Sequence, residues 1–199
     1  INIGLIGTGY LGKFHLKQIK TIEELNFIGI YDKDHELAQQ LGSDNDVEVY
    51  GSAEELINSC DALSIVVPTK AHYETAIKGL KEGCHLFVEK PIASTLEDAR
   101  DMVQRANEQQ LTLQVGHIER FNPAFIAAEK EAKNIKLIEA KRMTSFSKRG
   151  SDVSVILDLM IHDIDLCLSL IDSSVVSISA SGSRTHTSSI DHGLATITF

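Results

Sequence analysis

Through the first 120 residues, short apolar runs alternate with stretches whose apolar positions recur every three or four residues. The runs INIGLIG (1–7), FIGIYD (27–32), ALSIVVP (62–68), HLFVE (85–89) and LTLQVG (111–116) predict strands, with a weaker one at VEVY (47–50). The stretches between them predict helices over 11–20, 35–41, 53–58, 72–82 and 96–109. Ser52 followed by Glu55, and Ser94 followed by Glu97, match the pattern in which a helix N-terminus is capped reciprocally by the two side chains. Continuous apolar strands alternating with helices imply a parallel sheet covered on both faces.

After residue 120 the rhythm changes. A helix over 124–133 leads to a longer strand pattern, KLIEAKRMTSF (136–146), then a nearly all-apolar helix over 155–171. VVSISASGS (175–183) and LATITF (194–199) alternate with period two, which predicts an antiparallel sheet packed on helices. The alternation leaves one sheet face for the helices and another expected to be apolar enough to need cover. LATITF stops in the middle of its pattern, and the natural chain is expected to continue past Phe199.

The first strand runs into GTGYLG, which contains Gly7-x-Gly9-x-x-Gly12 with Thr8, Tyr10 and Leu11 between the glycines. Alone, three glycines at this spacing are a weak signal. Here they follow an apolar strand, open a helix, and are followed 20 residues after Gly12 by Asp32 at the end of the next strand. In such a turn the first glycine permits the bend, the second lets a pyrophosphate approach the backbone, and the third lets helix and strand pack closely. The helix N-terminus supplies free N–H groups for the anion. An acid at the second strand end accepts hydrogen bonds from an adenosine ribose and repels a 2′-phosphate, so NAD is expected rather than NADP. Asp34 lies near enough that the count to the acid could slip.

The fold class is therefore α/β: an N-terminal Rossmann domain with a doubly wound parallel sheet over residues 1–118. An α+β domain with a mostly antiparallel sheet, apparently incomplete, covers 119–199 and is expected to serve substrate binding and oligomerisation. In a parallel sheet, ligands bind outside the carboxyl ends of the strands. Three such ends carry polar or turn residues instead of continuing apolar: Pro68-Thr69, Glu89-Lys90-Pro91 and Gly116-His117. His72 follows Pro68-Thr69 and either approaches the cofactor or simply opens its helix. Arg120 either contacts a substrate anion or pairs with Glu119 or Glu129.

In the apolar helix, Asp158, His162, Asp165, Ser169 and Asp172 fall on one stripe. One reading is a solvent-facing edge of a buried helix. The other is chemical: four residues apart, the Asp158 carboxylate can orient the His162 imidazole, and a histidine near neutral pKa can take a hydroxyl proton.

Charge narrows the partners. The net charge is −9 without a basic cluster, which argues against nucleic acid or an anionic membrane surface. No run approaches the ~20 apolar residues of a membrane span. Three scattered cysteines, Cys60, Cys84 and Cys167, fit reduced thiols in a cytoplasm. There is no sequence signature of a metal site or of a hydrolase elbow.

GTGYLG, VVPTKAH (66–72), FVEKP (87–91) and the DLMIHDID helix (158–165) together resemble the glucose–fructose oxidoreductase/inositol dehydrogenase/rhizopine-catabolism (Gfo/Idh/MocA) family, in the right order along the whole chain. Within it, VGHIERFNPAF (115–125) resembles the branch of sugar-nucleotide 3-dehydrogenases. The resemblance implies an NAD(P)-dependent dehydrogenase acting on CH–OH groups. It implies that Lys90 reaches the nicotinamide end and bonds the reacting hydroxyl, that Glu89 lines the cofactor site, that His162 with Asp158 serves the proton, and that the Lys90–Pro91 bond is cis. The cofactor-binding set is then Gly7, Thr8, Gly9, Tyr10, Leu11, Gly12, Asp32, Pro68, Thr69, His72, Glu89 and Lys90. The substrate set is Lys90, His117, Arg120, Asp158 and His162. The expected substrate is a sugar or sugar nucleotide, the expected assembly a homo-oligomer through the C-terminal sheet. Two other readings stay open: a free-polyol, inositol-type dehydrogenase, and a non-catalytic dinucleotide-binding sensor or scaffold.

Overall fold

The computed structural model describes residues 1–145, 154–186 and 190–199. Contacts divide the chain into two units, Ile1–Gly116 and His117–Phe199, so His117 groups with Arg120 rather than with the sheet that precedes it.

The first unit is a five-stranded, all-parallel sheet with the order β2-β1-β3-β4-β5, where β1 is Asn2–Ile6, β2 Asn26–Tyr31, β3 Ala62–Ile65, β4 His85–Val88 and β5 Leu113–Val115. Helices α1 (Tyr10–Ile19), α2 (His35–Asn45), α3 (Ala53–Asn58), α4 (His72–Lys81) and α5 (Leu96–Glu108) connect them. The sheet is built outward from β1 in both directions, which places a topological switch point between β1 and β3. The weak VEVY pattern forms only a bridge, Val49 beside Ile30, on the outer edge of β2. Two bonds hold it there, Ile30 N–H to the Glu48 carbonyl at 2.9 Å and Tyr50 N–H to the Ile30 carbonyl at 2.9 Å. With that short edge the order is that of the dinucleotide-binding fold.

The central strands are buried on both faces because each face meets its own apolar cluster. Leu56, Leu63, Ile65, Leu80, Val88 and Met102 form one, and Leu5, Leu16, Ile30 and Leu41 the other. Ser64, in the middle of β3, is a polar exception at 2% exposure. Ser52 caps α3 by accepting from Glu55 N–H at 3.1 Å. At α5 the expected pair is displaced by one residue: Thr95, not Ser94, is the cap, accepting from Asp98 N–H at 3.1 Å. Both pairs satisfy the same sequence pattern, and the backbone adopts the one that starts a residue later.

In the second unit, α6 (Pro123–Glu131) is followed by a stretch that departs from expectation. Residues 136–145 form no strand among the described residues, and Phe146 lies outside them. Leu137 and Met143 are 78% and 89% exposed, so the alternation there has neither a ladder partner nor a packed face to fix it. The apolar helix begins with a π-helical turn, Ile156–Met160, before α7 (Ile161–Leu170). Its polar stripe is not uniformly a solvated edge: Asp165 is buried and Asp158, His162 and Ser169 partly so, with Asp172 exposed, whereas the apolar Leu168 is nearly half exposed. Strands β6 (Ser177–Ser183) and β7 (His192–Thr198) pair antiparallel. The ladder puts Ile178, Ala180, Ala195 and Ile197 on the face of Gly193, which lies against Met160 and Val155 of the apolar helix. The opposite face corrects the expectation of an apolar surface. It carries Ser177, Ser179, Ser181, Thr196 and Thr198, with Leu194 its large apolar side chain.

Candidate functional site

In the first unit, the ends of β1, β2, β3 and β4 converge chemically on one another. Gly7 has φ +103°, a conformation that strains any side chain, and a Cβ there would overlap the Val66 carbonyl. A Cβ on Gly12 would overlap the Gly7 carbonyl, which is how closely α1 starts against the turn. Gly9 differs, because a Cβ built there meets no other atom within 4 Å. Its lack of a side chain answers no demand of the protein's own packing and leaves an open cradle. At this point α1 begins with no side-chain cap and no acidic residue in its first turn. The donors of its N-terminus and the open space beside Gly9 fit a dinucleotide pyrophosphate.

Asp32 turns toward this cradle. Its Oδ2 accepts from Thr8 N–H at 2.6 Å and Thr8 Oγ1 at 3.1 Å, and its Oδ1 accepts from Asp34 N–H at 3.0 Å. Asp34 is the N-cap of α2, accepting from Leu37 N–H at 3.1 Å, so the two acids have different employment. Thr8 is fully buried and acts on Asp32, whereas Tyr10 and Leu11 are 59% and 42% exposed at the mouth of the turn.

Pro68 precedes a 3-10 turn, Thr69–Ala71, that leads into α4. His72 is a correction to the expected cofactor set. Its ring is 1% exposed, with Nδ1 2.8 Å from the Pro91 carbonyl and Nε2 2.8 Å from the Val67 carbonyl. Both nitrogens are committed to the protein, and the ring ties the end of β3 to the turn after β4. That turn holds Glu89, Lys90 and Pro91, and the Lys90–Pro91 bond is cis, as the resemblance implies. Glu89 is 8% exposed; its Oε2 accepts from Lys90 N–H at 3.2 Å and its Oε1 lies 2.9 Å from His15 Nε2. A Cβ on Gly116 would come within 3.0 Å of that carboxylate, so the glycine ending β5 leaves it room.

His15 and Ser64 are the participants that the sequence reading passed over. The His15 Nδ1 lies 2.9 Å from Ser64 Oγ, and its Nε2 lies 2.9 Å from Glu89 Oε1. A signal was available. His15 neighbours the buried stripe of Gly12, Leu16 and Ile19 on α1, and Ser64 is the polar residue of β3.

In the second unit Arg120 binds Asp165 through two parallel bonds, Nε to Oδ2 at 2.7 Å and Nη2 to Oδ1 at 2.6 Å. Its partner is thus neither Glu119 nor Glu129. The hydrogen bond to Asp165 raises the Arg120 guanidinium above its ordinary pKa despite desolvation. This pairing is also what allows Asp165 to be buried. His117 Nδ1 is 3.9 Å from Asp165 Oδ2, within ion-pair range but beyond a hydrogen bond. Arg142 bonds Asp163, with Nη2 to Oδ1 at 2.9 Å, and reaches Glu119 at 3.5 Å. Asp158 lies in the π-helical turn and His162 in the first turn of α7, both partly buried. π turns of this kind are frequent at functional sites. Among the described residues, no group of three or more His, Cys, Asp or Glu could hold a metal, and no helix is long and apolar enough to cross a membrane.

A parallel sheet in this order, a glycine turn with an open cradle and an acid at the second strand end define a dinucleotide-binding protein. The model of the Gfo/Idh/MocA oxidoreductase family, NAD-binding Rossmann fold, matches residues 1–117, and the chain belongs to that family. It is 34% identical over 196 residues to a UDP-N-acetylglucosamine 3-dehydrogenase of Acidithiobacillus ferrooxidans, covering 98% of this chain and 62% of that protein. A solved structure of that dehydrogenase superposes with a TM-score of 0.92 at 33% identity, over 99% of this chain and 65% of the other. A scyllo-inositol 2-dehydrogenase (NAD(+)) of Bacillus subtilis is 28% identical over 197 residues, 92% of this chain and 57% of that protein. The chain spans a little under two thirds of the length of these relatives.

Proposed function

We propose that the full-length protein is an NAD-dependent dehydrogenase that oxidises a ring secondary hydroxyl of a nucleotide sugar, a UDP-N-acetylhexosamine. The observation that carries this reading is the 34% identity to a UDP-N-acetylglucosamine 3-dehydrogenase across 98% of the chain. The inositol-type alternative rests on weaker identity, 28% to the scyllo-inositol enzyme. Bound NAD supplies the hydride acceptor. The Gly7–Gly12 turn and the α1 N-terminus hold its pyrophosphate, with Tyr10 and Leu11 at the mouth, and Asp32 takes the adenosine ribose hydroxyls while disfavouring a 2′-phosphate. Pro68, Thr69 and Glu89 line the same cleft.

Lys90 donates a hydrogen bond to the reacting hydroxyl and favours its alkoxide-like transition state. His162 accepts the proton and Asp158 orients the imidazole. His117 and Arg120 contribute to the substrate side, Arg120 in an orientation held by Asp165. The protein works in the cytoplasm, in keeping with its reduced thiols, as a homo-oligomer assembled through the β6–β7 sheet. Exposed Leu194, on the face turned away from the helix, supports that assembly, and a monomer at micromolar concentration in sedimentation would count against it.

The chemistry is tested by mutation. Lys90→Ala and His162→Ala should each lower turnover about 10²–10⁴-fold, the range for losing an acid–base group, with NAD affinity little changed. The histidine variant should lose the near-neutral limb of the pH–rate profile. Wild-type turnover with an unchanged profile would remove His162 from the mechanism.

A further inference from the structure

The bridge His15–Glu89–Lys90 links the first helix of the sheet to the residue proposed to act on the hydroxyl. Ser64 Oγ, His15 and Glu89 form a serine–imidazole–carboxylate series with both contacts at 2.9 Å, which resembles a nucleophile relay. That use fails on access. Ser64 is 2% exposed in the middle of β3, with strands β1 and β4 hydrogen-bonded on either side. No substrate carbonyl could reach its hydroxyl. The arrangement instead points outward from the sheet, toward Glu89.

A carboxylate beside an imidazole accepts, so Nε2 carries the proton donated to Glu89 Oε1, and Nδ1 is left to accept the Ser64 hydroxyl. Glu89 thereby sets the tautomer, Ser64 donates its hydroxyl to the free Nδ1, and the T-shaped contact of the His15 ring with Phe87, centroids 5.5 Å apart, sets its plane. Held on one oxygen, Glu89 presents the other to the backbone N–H of Lys90 at 3.2 Å. Gly116 leaves room for the same carboxylate, which a side chain there would crowd. On the far side of Lys90, the Pro91 carbonyl is held by His72.

We infer that His15 is a positioning residue for Lys90, acting through Glu89 on the backbone of the Glu89-Lys90-Pro91 turn. The inference rests on the proposed role of Lys90 for its catalytic consequence, but not for its structural one. Asparagine and glutamine separate the two ring nitrogens. A glutamine amide reaches the place of Nε2 and can donate to Glu89, whereas an asparagine amide reaches only the place of Nδ1, toward Ser64.

In the full-length protein, hydrogen–deuterium exchange at the Lys90 amide should be about tenfold faster in His15→Asn, the loss expected for one hydrogen bond to a charged group. It should stay near wild type in His15→Gln. Turnover should fall about tenfold in His15→Asn and recover in His15→Gln, with the NAD Kd within about twofold in both. Glu89→Gln should reproduce the asparagine variant's amide exchange and turnover, and adding it to His15→Asn should cost little more in either, because the two changes break one chain. Equal behaviour of the asparagine and glutamine variants, or additive losses in the double variant, would overturn the inference. Glu89→Gln changes one atom and keeps the test available if the histidine variants fail to fold. Failure of the functional reading is seen separately, as wild-type turnover in Lys90→Ala. The amide exchange at Lys90 decides the coupling in either event.

Discussion

Replacing each glycine of the first turn by alanine separates what the fold needs from what the dinucleotide needs. At Gly7 the backbone has φ +103°, and the added methyl meets the Val66 carbonyl. A left-handed backbone costs about 1–2 kcal/mol for an L-residue, and overpacking about 1–3 kcal/mol more. The sum, about 2–5 kcal/mol, lowers Tm by about 4–20 °C for a domain of this size. At Gly12 the methyl meets the Gly7 carbonyl, and the same overpacking cost is offset by the ~1 kcal/mol gain of alanine over glycine inside a helix. At Gly9 the methyl meets nothing within 4 Å, and φ is −62°, so alanine fits without strain. Gly9→Ala should therefore melt within about 4 °C of wild type, since it adds neither backbone strain nor overpacking and loses only the preference for glycine over alanine at the α1 N-cap, about 1 kcal/mol. The same methyl occupies the approach of the pyrophosphate. At about 1–3 kcal/mol of overpacking in the complex, the NAD Kd rises roughly 5–150-fold. Thermal melts and calorimetric NAD titrations on the full-length protein make the comparison. A Gly9→Ala variant that melts as low as Gly7→Ala, or that binds NAD as wild type does, would refute the reasoning.

Asp32→Ala should narrow the preference for NAD over NADP, expected to be at least about tenfold from one charge repulsion, and equal wild-type affinities would remove Asp32 from that role. Native Cys60 should resist alkylation at pH 8, since burial, then the neighbouring Cys84 and Asp61, push its thiol up to about 12. That leaves a thiolate fraction on the order of 10⁻⁴. Rapid labelling without denaturant would show that the core opens there. Asp165→Ala should destabilise by about 1–3 kcal/mol through loss of the paired bonds to Arg120, with Arg120→Lys only partly tolerated because the bonding is bidentate. A melt unchanged from wild type would make the pair a surface contact.

The first unit was legible because its signals are local. Strand, glycine turn, helix and acid sit within 32 residues, and each glycine or cap acts on close neighbours in the chain. Where local patterns are degenerate, the reading slipped, as between Ser94–Glu97 and Thr95–Asp98. What joins distant residues was less visible. The bridge from His15 to Glu89 spans 74 positions, and that from Arg120 to Asp165 spans 45. Histidine at a half-buried helical position and serine inside an apolar strand were clues, but neither names its partner. In the second unit, period-two alternation over 136–146 looked like a strand, yet alternation is only half of a strand, and a ladder is the other half. The π turn beneath Asp158 has no residue signature at all.

The central claim is tested most directly by following NADH formation by the full-length protein with UDP-N-acetylglucosamine and with inositols, in wild type and Lys90→Ala. The account predicts turnover of the nucleotide sugar well above that of any inositol, and its loss by about 10²–10⁴-fold in the variant. Inositol turnover exceeding that of every UDP-hexosamine would contradict the substrate assignment, and undiminished turnover in Lys90→Ala would contradict the chemistry.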